Sequence, residues 1–355
     1  MVLEAHNETI GRRFKEESGL LSPFEVDVFR LKTSEALSGL GFKTQVFFKP
    51  NNIHVKNRLS HTEDVVSKAS YVARSLNLNK DLSEAIAYAH DIGHSPIGHF
   101  AERFLSRKLE GGFNHSINST NIVQFIERDG KGLNLCYETI EGILAHNKQG
   151  RKFIPKERLE MMPHEFEVVY QSDKIAYTMA DFYDFLRLAL IERDFFNYYM
   201  NELNVYSKDS SPQEMLRKAD KKILTSLISE SKDKQKISFS ESDEANVFGR
   251  IKKYLGLIYP KLDDEIMDTA RLTKTYVYLK NEVDLGGLNP IIALTLLTDD
   301  EIITIAENRI QSNNSTLIKN SSFYETITGL KNSDFDLSKI DPSKPDLDWR
   351  NDAYK

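Results

Sequence analysis

The sequence predicts an almost entirely α-helical fold, and two observations carry that expectation. Glycine and proline are sparse, at 17 and 10 in 355 residues. Apolar residues recur mostly at three- and four-residue spacing, the period of a helix buried on one face.

In chain order, residues 1–22 are expected as an arm. From Ser22 to Leu40 the residues Val26, Phe29, Leu31, Ala36, Leu37 and Leu40 form an imperfect helical stripe that ends at Gly41. KTQVFF (Lys43 to Phe48) reads as a short extended segment, followed by the polar loop KPNNIHVKN and by Arg58-Leu59-Ser60-His61. Val65, Val66, Ala69, Val72, Ala73 and Leu76 mark the next helix; Asp81-Leu82-Ser83 opens another that carries Ala85, Ile86 and Ala89 into a His-Asp pair. The helix past Glu102 should stop at Gly111-Gly112, with further helices from Ile117 to Ile126 and from Tyr137 to Leu144. Arg151 to Pro163 reads as a polar connection, and a long helical pattern then runs from Glu165 to about Arg193 and contains Asp173. Later helices are expected at 213–229, 244–258, 262–282 and 290–308, with a mobile loop at Ser229 to Ser242. The expected organisation is an N-terminal arm (1–22), a catalytic core (23–200), a C-terminal helical region packed on it (201–310) and a loosely packed polar tail (311–355).

Composition narrows the function. A hydrophobic fraction of 40% and a charged fraction of 28% are ordinary for a globular protein. The formal charge of −6 argues against an extended nucleic-acid surface, which draws on clustered Lys and Arg. The single cysteine, Cys136, cannot form an intrachain disulfide, which fits a reducing cytoplasm. The first nineteen residues are charged throughout and show no apolar stretch of a secretory signal. No apolar run approaches the roughly 20 residues that a membrane helix needs.

The chemistry concentrates in AHDIGHSPIGH, Ala89 to His99, with Glu102 just beyond; three of the nine histidines of the chain, His90, His94 and His99, fall within ten residues. His61, His90, Asp91 and Asp173 are candidate metal ligands, because imidazole nitrogens with carboxylate oxygens suit a divalent cation of intermediate hardness. Adjacent helical residues point about 100° apart, so His90 and Asp91 can face one ion only near a helix end, and Pro96 supplies an interruption shortly afterwards. Each candidate also has a plainer explanation. His61 after Ser60 suits a helix start, Asp173 can pair with Lys174, and Tyr177 with Asp181 suits an ordinary amphipathic helix. Asp91 is harder to dismiss, since a carboxylate among apolar neighbours needs a partner.

Taken together, RLSH, HDIGHSPIGH, GGFNH and SDKIAYTMAD, in this order, resemble the HD-domain deoxynucleoside triphosphate triphosphohydrolases, the bacterial dGTPases and the SAM-and-HD dNTP hydrolases of animals. SEALSGLGFKTQVF and GLNLCYETIEGIL resemble further motifs of that family, and the likeness runs from about Asp27 to Arg187. It implies an HD-domain helical fold with additional C-terminal helices, and hydrolysis of a dNTP to deoxynucleoside and inorganic triphosphate. The implied cofactor is one divalent ion (Mn, Mg, Fe, Co or Zn), with further Mg accompanying the triphosphate. A homo-oligomer and an allosteric nucleotide are partners the family allows.

Residue by residue, the resemblance assigns His61, His90, Asp91 and Asp173 to the metal, and His99 with Glu102 to a His-acid pair for proton transfer. It assigns His94 and His115 to the triphosphate or to proton transfer, and Arg58 and Lys174 to phosphate. Tyr177 would lie against the deoxyribose, Asp181 would hold its 3′-hydroxyl, and Gln45 and Val46 would approach the base. Two departures stand out. Ser38-Gly39 replaces an Arg-Arg pair, and GILAHN, with His146, replaces GILKY; both bear on guanine specificity and leave the catalytic set intact. The rival readings are another HD phosphohydrolase, such as a 5′-nucleotidase or an alarmone hydrolase, and a non-catalytic nucleotide sensor.

Overall fold

The computed structural model describes residues 3–16, 19–262, 265–307 and 321–348. Helices dominate, and among the described residues the only β pairing is two isolated bridges, Arg12 with Cys136 and Thr44 with Asn57. The all-α expectation therefore holds.

The stripe expected from Ser22 to Leu40 divides at Thr33 into α1 (Pro23–Lys32) and α2 (Glu35–Gly39). Ser22 opens α1 with a reciprocal capping box to Glu25, and Pro23 occupies its first turn, where the missing N–H costs nothing. Residues 3–16 are tied down rather than trailing. Arg12 pairs with buried Asp27, whose second oxygen accepts from Cys136 N at 2.9 Å and Thr139 Oγ1 at 2.6 Å.

Asn57 caps α3 (Arg58–Ser75) and Asn79 caps α4 (Lys80–Ala89), each through a side-chain oxygen on a first-turn amide. The expected apolar face of α3, Val65, Ala69, Val72 and Ala73, is fully buried against α4 and α9 (His164–Arg187), which also pack on each other. Between α4 and the latter lie α5 (Gly98–Ser106), α6 (His115–Asn121), α7 (Tyr137–Ala145) and the short α8 (Lys156–Glu160). Then follow α10 (Arg193–Glu202), α11 (Pro212–Lys234) and α12 (Asp243–Ile258). Their apolar faces join α3 and α9 in one core around Phe166, Phe182, Phe185, Phe196, Leu227 and Ile251. A second core gathers Leu40, Ile92, Phe100 and Phe104 with α13 (Glu265–Asn281), α14 (Pro290–Leu296), α15 (Asp299–Ala306) and α16 (Ser322–Lys331).

Three sequence expectations change. Lys43 to Phe48 forms no strand; its chain is held by side chains, with the buried Lys43 ammonium donating to His94 O at 3.0 Å and Thr295 O at 2.7 Å. The first part of the loop expected at Ser229 to Ser242, through Lys234, is the end of α11, and the rest folds back on Glu230, whose carboxylate accepts from Ser238 Oγ at 2.6 Å and from Ser240 and Glu241 amides. The tail expected from 311 is, over residues 321–348, packed: Phe323, Ile327 and Leu330 of α16 are buried, with Leu337 and Ile340 after them. Residues 311–320 and 349–355 lie outside the described residues.

The turn after α4 is fixed by close backbone approach. A Cβ at Gly93 would sit 2.1 Å from Ser119 N and 2.7 Å from His115 O, so no larger residue fits without moving α6. Gly93 also donates to Ser119 Oγ at 2.9 Å and accepts from Asn118 Nδ2 at 2.8 Å. Overpacking against backbone predicts that Gly93→Ala lowers unfolding free energy by about 3 kcal/mol or more. Gly249→Ala, in α12 with open space around it, is expected to be neutral or to stabilise by about 0.5–1 kcal/mol. Urea midpoints of both variants check the pair.

Candidate active site

Packing of α3, α4 and α9 brings together residues far apart in the chain. His61 stands in the first turn of α3, His90 caps the C-terminus of α4, and Asp173 lies midway along α9. Their donor atoms fall within 4.8 Å of one another, with His61 Nε2 3.1 Å and His90 Nε2 3.8 Å from Asp173 Oδ1. Asp91 Oδ1 faces the same place, 3.7 Å from His90 Nε2. The helix ends at His90, which is what lets two neighbouring side chains converge.

The protonation pattern fits a cation. His90 Nδ1 lies 2.7 Å from Ala87 O, and a carbonyl only accepts, so that nitrogen carries the hydrogen and Nε2 presents a lone pair. That Nε2 is buried without a hydrogen-bond partner and faces two carboxylates. An orphaned imidazole lone pair between carboxylate oxygens is a donor set for a divalent ion. Burial would raise the Asp91 carboxyl, but His90, Arg58, His94 and His115 outweigh it and hold the group well below the usual range. Burial likewise opposes Asp173, and His61 and His90 pull it down. Arg58 is wholly buried; it pairs with Asp91 Oδ2 and donates to Thr44 O and Gln45 O, both at 3.2 Å.

A second group lies beside the first. Glu102 Oε1 accepts from the His115 amide at 3.0 Å and from His115 Nδ1 at 2.9 Å, whereas His99 Nδ1 is 3.5 Å from Glu102 Oε2. The pairing expected for His99 is thus present in looser form, and the tight partner of Glu102 is His115. Burial raises the Glu102 carboxyl, and the charge and hydrogen bond of His115, with His99 and His94, bring it well below its ordinary value. The His99 side chain is 60% exposed, at the rim. His94 is completely buried and stacks on His115 at 4.8 Å between ring centres; burial, with Arg58 and His115, keeps it neutral.

A cavity of about 250 Å³ opens from these groups along α9. Gln45, Val46, Arg58, Tyr177 and Asp181 line it with Asp173, while Lys174 and His94 do not. The Lys174 ammonium turns onto the Tyr170 ring, 3.4 Å from its centre, and burial with nearby Lys148 and Arg151 depresses it to about 8. A neighbouring cavity of about 600 Å³ holds Glu102, Arg103 and Lys148 and shares His99, His115 and Asn147 with the first. Sequence reasoning missed three groups. Tyr259 closes the far end through a 2.6 Å bond from Oη to Asp181 Oδ2, Lys252 lies over Tyr177, and His146 meets His115 at 3.0 Å. Only His146 left a trace, as a departure within GILAHN.

Comparisons with known proteins identify the family. The HD domain model matches residues 58–178. A deoxyguanosinetriphosphate triphosphohydrolase-like protein of Rickettsia prowazekii is 31% identical over 316 residues, covering 81% of this chain and 79% of its own. The chain belongs to the deoxyguanosinetriphosphate triphosphohydrolase-like family. Proteins of the same name from Caldanaerobacter subterraneus and Clostridium tetani are 43% and 40% identical, over 51% and 52% of each chain, so the chain spans about half the length of those two relatives in these matches. HD domains bind divalent metals, and the family's domain boundaries enclose all of His61, His90, Asp91 and Asp173. No helix among the described residues is long and apolar enough to cross a membrane.

Asp181 offers a test of this geometry independent of turnover. Burial lifts its carboxyl to about 7, against the opposing Tyr259 bond. The folded state therefore keeps a proton that the unfolded chain releases near pH 4, and this group's contribution to stability falls as pH rises from about 4 to about 7. Asp181→Asn keeps an acceptor for Tyr259 and cannot titrate. Measured with EDTA present, its stability relative to the parent should improve between pH 5 and pH 8 by on the order of 2–4 kcal/mol; a difference that does not vary with pH would contradict the assignment.

Proposed function

We propose that the chain is a metal-dependent phosphohydrolase that splits a dNTP into deoxynucleoside and inorganic triphosphate. The observation that carries this reading is the continuity of one cavity, lined both by His61, Asp91 and Asp173, with His90 grouped beside them, and by Tyr177, Asp181 and Gln45. The names of the family members support the same substrate class.

A divalent cation held by His61, His90, Asp91 and Asp173 would supply the charge that polarises the α-phosphoryl oxygen and positions the attacking water. The chain's own groups do the rest. Arg58, at the cavity wall, offers a planar guanidinium suited to a phosphoryl oxygen. Lys148 and Arg103 line the adjoining cavity, which places positive charge where the outer phosphates would extend. Tyr177 presents a flat wall against the sugar, and Asp181 with Tyr259 takes the 3′-hydroxyl. His99 at the rim delivers a proton to the departing 5′-oxygen, oriented by Glu102. Glu102 is itself anchored by His115, and His94 backs the His115 ring as support rather than as a phosphate contact.

Chromatography of reactions with each dNTP and with GTP, in Mg, Mn or Co, tests the proposal. Deoxynucleoside and triphosphate should form in equal amounts; a monophosphate with pyrophosphate would mark a different phosphohydrolase, and nucleotide binding without turnover a sensor. His99→Ala is expected to lower kcat by roughly 10²–10⁴ with bound metal retained. Asp91→Ala should lower kcat by on the order of 10³ or more together with loss of metal, read by elemental analysis of the purified protein.

A further inference from the structure

We propose that a cavity between α2, the π-helical turn Ile122–Ile126 and α16 binds an aliphatic polyamine. It is separate from the substrate cavity, and the inference stands whether or not the reaction proposed above is the right one.

The cavity measures about 480 Å³, a size suited to a small molecule. One part of its wall is apolar, formed by Ile92, Ile122, Ile126, Leu133 and Leu296. Four carboxylates, those of Glu35, Glu127, Asp129 and Glu325, line the same space. The cations beside them are mostly committed elsewhere. Arg30 gives its guanidinium to Glu16 and to the carbonyls of Leu133 and Asn134, and the Lys43 ammonium goes to His94 O and Thr295 O. That leaves Arg128 to offset the acids, and Glu35, Asp129 and Glu325 have no ion-pair partner among the described residues. Glu127 is the buried member of the set, and one of its oxygens accepts from the Ala36 amide at 2.7 Å. Burial pushes its carboxyl up, and neither that amide nor Arg128 offsets the shift. A cation brought beside it would relieve the charge.

Uncompensated negative charge next to an apolar wall calls for a positive ligand with a hydrocarbon body. A bare metal ion does not match, because hard cations need several oxygens gathered on one point, and these carboxylates are not among the donor groups that fall within 4.8 Å of one another. In a polyamine the ammonium groups are spaced along a methylene chain. Each can reach a different carboxylate while the methylenes cover Ile122, Ile126 and Leu133. Phe42, largely exposed on the cavity wall, offers a ring face to an ammonium group. An anionic ligand is disfavoured by the residues themselves: Ser38 and Gly39, which line the cavity, stand where the resembling motif carries two arginines.

The cavity shares the turn after α4 with the substrate cavity. Ile92 lines the one and its neighbour Asp91 the other, and Lys43 reaches from the polyamine cavity to the carbonyl of His94. A ligand there packs against the turn that carries the proposed cation ligands.

Isothermal titration of the full chain with spermidine, in EDTA and about 150 mM NaCl to screen general surface attraction, tests the site. The parent should take up one equivalent. Glu127→Gln with Asp129→Asn keeps side-chain shape and the acceptor for Ala36, and should weaken binding by about tenfold or more. Gly39→Arg should abolish binding, whereas the uncharged Gly39→Gln should retain it. A Cβ at Gly39 meets open space, so both variants are expected to fold, which circular dichroism checks. His61→Ala, which alters only the substrate cavity, should bind as the parent does. No saturable binding by the parent overturns the proposal. So does equal binding by the parent, Gly39→Arg and the Glu127–Asp129 double variant, loss of binding in His61→Ala, or displacement of spermidine by equimolar magnesium.

Discussion

The charge on buried Asp91 is the constraint around which the molecule is arranged. An isolated carboxylate in a dry interior is costly, and it persists only when surrounding groups neutralise it and satisfy its oxygens. Here one oxygen pairs with Arg58 and the other faces His90 and His115. Arg58 is buried in turn, and two more of its five N–H groups go to the carbonyls of Thr44 and Gln45. The irregular segment after α2 is thereby locked against the start of α3. A charge in one turn thus dictates the course of a stretch nearly fifty residues upstream.

The same chain of obligations reaches the C-terminal half, which carries no recognisable motif. Lys43 donates to the carbonyl of His94 and to that of Thr295, tying the site turn to the end of α14. Asp299, in the first turn of α15, accepts from Thr44 Oγ1 at 2.6 Å and from Ile97 N at 2.9 Å. Ile97 has φ +59°, an uncommon backbone for a β-branched residue, and holds it because this bond and the packing around Ile97 leave no alternative. The helices beyond residue 265 act on the site by holding its turn in place.

How much of this was legible in the sequence follows from the range of each interaction. The all-α class was legible because helical periodicity is local, and so was the cluster from His90 to Glu102, because its density of titratable groups exceeds what packing requires. That Asp173 meets His61 and His90 was legible only through the family resemblance, since the crossing of α3, α4 and α9 is a property of three faces at once. The position of Lys174 was not legible, because a helix neighbour of Asp173 need not share its face; its ammonium lies on the Tyr170 ring. Tyr259 escaped notice because its single decisive bond spans 78 residues. The tail was misread for compositional reasons: Phe323, Ile327 and Leu330 recur at helical spacing, but polar neighbours diluted the signal.

Glu102 shows why the cluster cannot be divided into independent pairs. Its Oε1 is committed to two donors of His115, while Oε2 faces His99 at 3.5 Å and His94 at 3.8 Å. One buried carboxylate therefore orients an imidazole toward the interior, where Asp91 lies, and another toward the rim, where solvent and ligand enter. Removing it would release both rings, and no single partner could restore them. Sharing a carboxylate fixes both directions at once: the bond to His115 Nδ1 turns the Nε2 of that ring toward His146 and Asp91, and the second oxygen lies beside His99 at the rim.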